Sequence, residues 1–381
     1  MKLENVMARL ILFIVFCSLS LPQFGQSIDT PFCGSPALEQ YLDQQDPNRI
    51  RQREAFEIGY QQHFRQRALL RATPPNTPVT LPVVVHIIHD NGPENISDAQ
   101  VMQGIEWLND AFSNTGNYYQ ENGVDTKIQF CLAKRDPDGN PINGIVRHQS
   151  NYTNMDQPGA FGAIYNLATY DPDNYLNIRL VRKTCNNQGN CYAGLGGVGF
   201  GVVMNATWFG ANLPKQTTAI HEMGHALGLI HTFSGGCENA DCLSDGDKVC
   251  DTPPDQLTME GCKTPVNSCL TDSQDTSNNN PFRPIPMGGL GDQPDANNNY
   301  LDYNFPSCRK SFTRGQNDRM HYHIQNRYKP LLKSKACYPP CPAPAMAGFT
   351  SIPDSIPAGT AIFVSNTSVN ADSFQWYLNG Q

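Results

Sequence analysis

Charge is scarce in this chain, and positive charge scarcer still. Of 381 residues, 16% are charged, with 27 Lys and Arg against 35 Asp and Glu, for a formal net charge of -8. That leaves no basic footprint for nucleic acid or for an anionic membrane surface. Long apolar runs are missing too. The run from Leu10 to Leu21 is too short to span a bilayer. It follows Lys2 and Arg9 and gives way to small or polar residues at Gly25 to Ser27, the pattern of a secretory signal over residues 1–27, which implies a secreted, extracellular protein. Cys17 follows bulky Phe16, which argues against lipoprotein processing.

Cysteine, glycine and proline are plentiful, at 13, 31 and 29 residues. Export and many cysteines together argue for disulfides, and the glycines and prolines for many turns. The length admits two or three domains with at least one sizeable core. Cys237, Cys242, Cys250, Cys262, Cys269 and Cys308 crowd one loop-rich region, while Cys185 and Cys191 are spaced to close a small loop. Setting aside Cys17 and Cys33 leaves an odd number, with Cys131 on an apolar strand as the expected unpaired thiol.

Chemistry is concentrated in His221-Glu222-Met223-Gly224-His225-Ala226-Leu227-Gly228-Leu229-Ile230-His231. On an α-helix, residues four apart share a face, so His221 and His225 can hold one zinc ion, with Glu222 beside it as a base rather than a ligand. Gly228 frees the backbone to turn and bring His231 round as third ligand, leaving the fourth position for water. An amphipathic helix with incidental histidines would explain the first five residues; it does not explain Gly228 and His231.

These eleven residues match in full the zinc motif of the metzincin metallopeptidases. Thr232-Phe233, Asp247 to Pro253, Asn299 to Tyr303, Cys308 and Phe312 to Gln316 narrow the resemblance to the pappalysin family, over roughly residues 30 to 330. The resemblance implies an α+β fold: a metzincin catalytic domain at 77–336, with a mixed twisted sheet over the active-site helix and a loop-rich C-terminal half. It implies a zinc endopeptidase acting on protein or peptide substrates, with Glu222 as base and Tyr303 stabilising an oxyanion. It also pairs Cys262 with Cys308 and Cys242 with Cys269, leaving Cys237 near Cys250. Leu301 stands where metzincins have the methionine of the turn beneath the metal, a change that conserves volume and apolarity.

Residues 28–76 form a separate segment tailing into a linker, Pro74-Pro75-Asn76-Thr77-Pro78. By resemblance, Cys33-Gly34 belongs to a cysteine switch whose thiolate binds zinc in a zymogen; otherwise Cys33 is half of a disulfide. Asp245, Asp247, Asp251, Thr252 and Asp255 are hard oxygen donors on a turn-rich loop. Spacing alone describes a solvated acidic loop equally well, and the resemblance favours calcium at Asp247 and Thr252. Bacterial members of the family prefer Arg or Lys after the scissile bond and place Asp just before the cysteine matching Cys308. Ser307 stands there instead, so basic selectivity is expected to be weak or lost unless Asp302 or Asp318 reaches the pocket.

Strands are expected at Leu81 to Ile88, Thr126 to Ala133, Tyr175 to Val181 and Gly199 to Met204, the last as a substrate-pairing edge. Ser97 and Gln100 form a capping-box pattern before a helix that Gly116 is placed to end, and Arg309 to Arg327 reads as a C-terminal helix region. His86 and His89 lack any motif and read as structural. After a rigid linker at 337–342, residues 343–381 resemble the first part of a PKD-like β-sandwich, about 39 residues where closure needs roughly 100, so the module reads as partial. It offers a surface for another domain or for extracellular matrix. A catalytically silent adhesive protein on this fold is the alternative reading, against which stand Glu222 and all three histidines.

Overall fold

A computed structural model of the chain describes residues 33–70, 77–186, 189–258, 262, 266–270 and 274–340, with short pieces between 348 and 375. The signal pattern, most of the linker at 74–78 and most of the expected β-sandwich lie outside the described residues. No described helix is long and apolar enough to cross a membrane.

The centre of the molecule is β1, Val79–His89. Its side chains are buried on both faces from Leu81 onward, which is why the run is apolar without alternation. Strand β4 (Leu176–Val181) pairs with it in parallel on one side. On the other, β2 (Ile128–Leu132) covers its first half and β3 (Ile145–Gln149) its second, both parallel. Strand β6 (Gly201–Asn205) extends the sheet in parallel from β4, and β5 (Gly194–Gly197) closes it as an antiparallel edge. The sheet is therefore mixed but mostly parallel. The strand expected as the edge, Gly199 to Met204, is interior; the edge is β5, whose three glycines in four residues carry no apolar period.

One face of the sheet packs Val83, Val85 and Ile87 against α3 (Asp98–Phe112) and α5 (Leu213–Ala226), through Ile105, Leu108, Ile220 and Met223. The opposite face packs Ile88, Val181 and Val203 against Leu38 of α1 (Ser35–Gln45) and Ile164 of α4 (Ala160–Leu167). Ser97 caps α3 by accepting from the Gln100 amide at 3.2 Å. The Gln100 side chain binds the Phe209 carbonyl instead of completing the box, and the helix stops at Phe112, a turn before Gly116. His86 is buried between His148 and Asn177, at 3.1 and 3.0 Å.

Of the segment at 28–76, residues 33–70 are described, and they pack against the rest of the chain. Helix α2 (Asn48–Leu70) lays Phe56, Tyr60 and Phe64 against Leu243 and Tyr322, the latter on α6 (Arg314–Asn326).

Between α5 and α6 the chain is almost all loop, stapled by Cys237–Cys269, Cys242–Cys250 and Cys262–Cys308. The expected Cys242–Cys269 pair is corrected here. The Asp245 carboxylate accepts the Asp241 amide at 2.8 Å and folds the segment back, bringing Cys250 to a Cα–Cα distance of 4.9 Å from Cys242. Cys237 is then left to meet Cys269. Cys131 is not free either: it bonds Cys337, 206 residues away, and pins the segment after α6 to β2. Cys185 and Cys191 close their small loop. Among the described residues the free cysteine is Cys33.

Candidate metal centre and active site

Helix α5 ends because Gly228 adopts φ 92°, open to glycine, with the His323 ring only 2.1 Å from where a β-carbon would sit. The turn swings His231 back over the helix. The Nε2 atoms of His221, His225 and His231 then lie 3.1, 3.0 and 3.3 Å apart. Three nitrogens bound tetrahedrally at about 2.0–2.1 Å would be spaced by about 3.3 Å, so the triangle fits zinc.

Proton bookkeeping makes the same point. His221 Nδ1 faces the Tyr300 carbonyl at 2.6 Å and His225 Nδ1 the Leu229 carbonyl at 2.9 Å. A carbonyl only accepts, so both Nδ1 atoms carry the hydrogen and both Nε2 atoms present bare lone pairs to each other. Protonation does not relieve this, because burial above all, with the neighbouring positive charges, holds His221 and His231 well below the usual range and His225 down to about 4. Converging lone pairs in a buried triangle call for a cation.

Below the triangle runs the turn Asn299 to Tyr303. Leu301 is fully buried against Gly224 of α5, filling the space beneath the helix. Its amide is held by Asn299, whose side chain exchanges two 2.9 Å hydrogen bonds with Gln316 at the capped start of α6.

Above the triangle sits Cys33, buried, its sulfur within 4.8 Å of the three histidine donors. The thiol donates to Glu222 Oε2 at 3.3 Å and the Ser35 hydroxyl to the same oxygen at 3.0 Å. Burial, and then the charge of Glu222, push the Cys33 thiol well up. Burial likewise pushes Glu222 up to about 7, against the lowering effect of the Cys33 and Ser35 hydrogen bonds. Glu222 Oε1 is buried without a partner. Glycine on β5 lets the strand press against the helix here: a β-carbon on Gly196 would lie 2.1 Å from the Glu222 carbonyl. The Tyr303 hydroxyl donates to the Cys33 carbonyl at 3.0 Å, and its ring lies 4.6 Å from that of His231.

The remaining expected residues fall into two groups. Asp247 is buried and accepts from the Thr252 hydroxyl at 2.8 Å, and burial pushes its carboxyl up to about 8. Asp245 and Asp251 turn instead to backbone and to the start of α6. Ser307 is exposed beside the Cys262–Cys308 bridge. Of the two acidic alternatives, Asp302 accepts the Tyr303 amide at 2.6 Å, and Asp318 faces Arg67 at 3.5 Å.

Sequence reasoning passed over Ser35, Arg309 and the ion pair of Glu57 with Arg319. Ser35 follows the Cys33-Gly34 pair directly; the other two are lone charges with no motif around them.

Comparison with known proteins agrees with this geometry. Residues 168–325 match the peptidase family M43, pregnancy-associated plasma protein-A. The extracellular metalloprotease 1 of Coccidioides posadasii is 28% identical over 253 residues, 64% of this chain and 76% of that protein. Tannerella forsythia promirolysin superposes with a TM-score of 0.54 at 27% identity, covering 81% of this chain and 97% of that one. Mature mirolysin from the same organism, bound to a cleaved peptide, gives 0.53 at 27% identity, covering 70% and 100%. With the histidine triangle, the buried glutamate and these matches together, the chain is a zinc metalloendopeptidase whose residues 168–325 match the pappalysin family.

Proposed function

We propose that this chain is the latent precursor of a secreted endopeptidase, with Cys33 closing the metal centre until residues 28–76 are removed. The observation that carries the reading is the buried Cys33 sulfur, the fourth donor over the three histidine nitrogens. Export is supported by the N-terminal pattern and by five disulfides among the described residues.

His221, His225 and His231 would hold the zinc, which when bound polarises a peptide carbonyl and acidifies water. Glu222 takes the proton from the attacking water and passes it to the leaving amine, a role suited to a carboxyl raised toward neutrality by burial. Tyr303 donates to the oxygen that gains charge, having held the Cys33 carbonyl in the precursor. The Gly34 amide binds the Gly194 carbonyl at 2.8 Å, so the pro-segment occupies the β5 edge that an extended substrate would pair with.

Calcium is the second metal of the proposal. Asp247 and Thr252 form a buried oxygen pair whose carboxyl is costly to ionise without a cation. Residues 343–381 are assigned to attachment, to another domain or to extracellular matrix.

Casein digestion by the activated protein, with and without a zinc chelator, tests the reading. Degradation that the chelator stops and added zinc restores is expected; degradation indifferent to chelation would overturn it.

A further inference from the structure

Arg309 is a charged group whose field reaches the metal centre and that the mechanism leaves unused. It follows Cys308, whose bridge to Cys262 anchors the loop after Tyr303. The same loop is tied to α5 one turn before His221, where the Thr217 hydroxyl donates to the Pro306 carbonyl at 3.1 Å. Arg309 Nε donates to the Asn304 carbonyl at 2.9 Å, which holds the side chain beside the residue that follows Tyr303. Its charge is felt by Glu222, Asp302, Cys33 and Tyr303 together, and by all three histidines.

Among the described residues no carboxylate lies within ion-pair distance of Arg309, although the side chain is half-buried. The contrast with the other interior arginines is informative. Arg319 has Glu57, and Arg179 is enclosed by carbonyls and aromatic rings. A guanidinium so placed, with a fork that matches a carboxylate, is a binding group awaiting a partner. Around it the loop offers Phe305, Pro306 and Ser307, and the loop's one carboxylate, Asp302, feels Arg309 but is not within ion-pair distance of it.

We infer that Arg309 is a specificity-determining residue that receives a carboxylate side chain of the substrate, Asp or Glu, next to the scissile bond. This rests on the endopeptidase reading and extends it: the cleft selects acidic residues and repels basic ones.

The test is to digest a protein mixture with the zinc-loaded, activated enzyme and to sequence the cut sites. Asp and Glu should be enriched about tenfold over background at one of the two residues flanking the cut, with Arg and Lys depleted there. Arg309→Met should erase the enrichment and Arg309→Lys, which keeps the charge but not the fork, should retain part of it, a pattern that loss of folding alone does not produce. Dominant Arg or Lys beside the cut, or enrichment unchanged in Arg309→Met while only its melting temperature falls, would overturn the inference and leave the endopeptidase reading standing. Absence of any cleavage would overturn both.

Discussion

Glu57 carries the clearest energetic prediction. Its carboxylate grips Arg319 from α2 through two contacts, 2.5 and 3.0 Å, with Arg319 2% and Glu57 15% exposed at the side chain. Arg319 also donates to the Gly228 carbonyl at 2.8 Å and lies over the Tyr60 ring, so the pair joins α2 to the turn that positions His231. Truncating one partner of a buried pair costs about 3–5 kcal/mol. Glu57 keeps some solvent contact, and about 2–3 kcal/mol is the appropriate share. If that cost falls on docking of α2, the undocked population rises by about 30- to 150-fold. Hydrolysis of a short peptide by uncleaved precursor is the assay, and Glu57→Ala should raise its initial rate by about that factor and shorten the lag before self-processing. A precursor as silent as the parent, processed at the same rate and melting at the same temperature, would refute the reasoning. The pH dependence has a definite sign. Burial raises the Glu57 carboxyl, but Arg319 and Lys248 outweigh it and the net shift is downward. The docked value therefore lies below the undocked one, near 4.3, so docking keeps its full strength above about pH 4.3 and loses it as pH falls through the docked value. Leakage of the precursor should grow only in that acid range.

Cys33→Ala removes the sulfur over the histidine triangle and should yield a precursor that activates faster than the parent; identical activation time courses would dismiss the switch. Gly228→Ala places a methyl group 2.1 Å from the His323 ring at φ 92°, and should cost about 1–3 kcal/mol and loosen zinc, read as a lower melting temperature and sub-stoichiometric metal. Calcium at about 100 times its dissociation constant should add about 2.7 kcal/mol to the folded state, and a melting curve that ignores calcium in metal-stripped protein would remove Asp247 and Thr252 from consideration.

The local features of this chain were readable in advance because they are local. A helix carrying histidines four apart, a glycine at its end and an apolar strand under it are set by period and backbone freedom, and His221 to His231 and Val79–His89 carry those cues openly. What spacing does not encode is the path of loops. Cys242 pairs with Cys250 because Asp245 folds the intervening turn, and Cys131 finds Cys337 because the chain returns to β2 after α6. The sheet edge was hidden for a different reason: Gly194-Leu195-Gly196-Gly197 is a strand because it pairs with β6, and the Glu222 backbone pressed against Gly196 requires glycine where strand formers would be sought. Arg309 and the Glu57–Arg319 pair are single charges in unremarkable sequence, visible only once the fold brings them to the metal centre.

The central claim is that Glu222 is the proton carrier of a zinc peptidase and not a ligand of its metal. Metal content and peptide hydrolysis measured side by side on the activated parent and on Glu222→Ala test it directly. The account predicts one zinc per chain in both proteins and a turnover about 10²- to 10⁴-fold lower in the variant. Loss of stoichiometric zinc from Glu222→Ala, or hydrolysis at the parent rate, would contradict it.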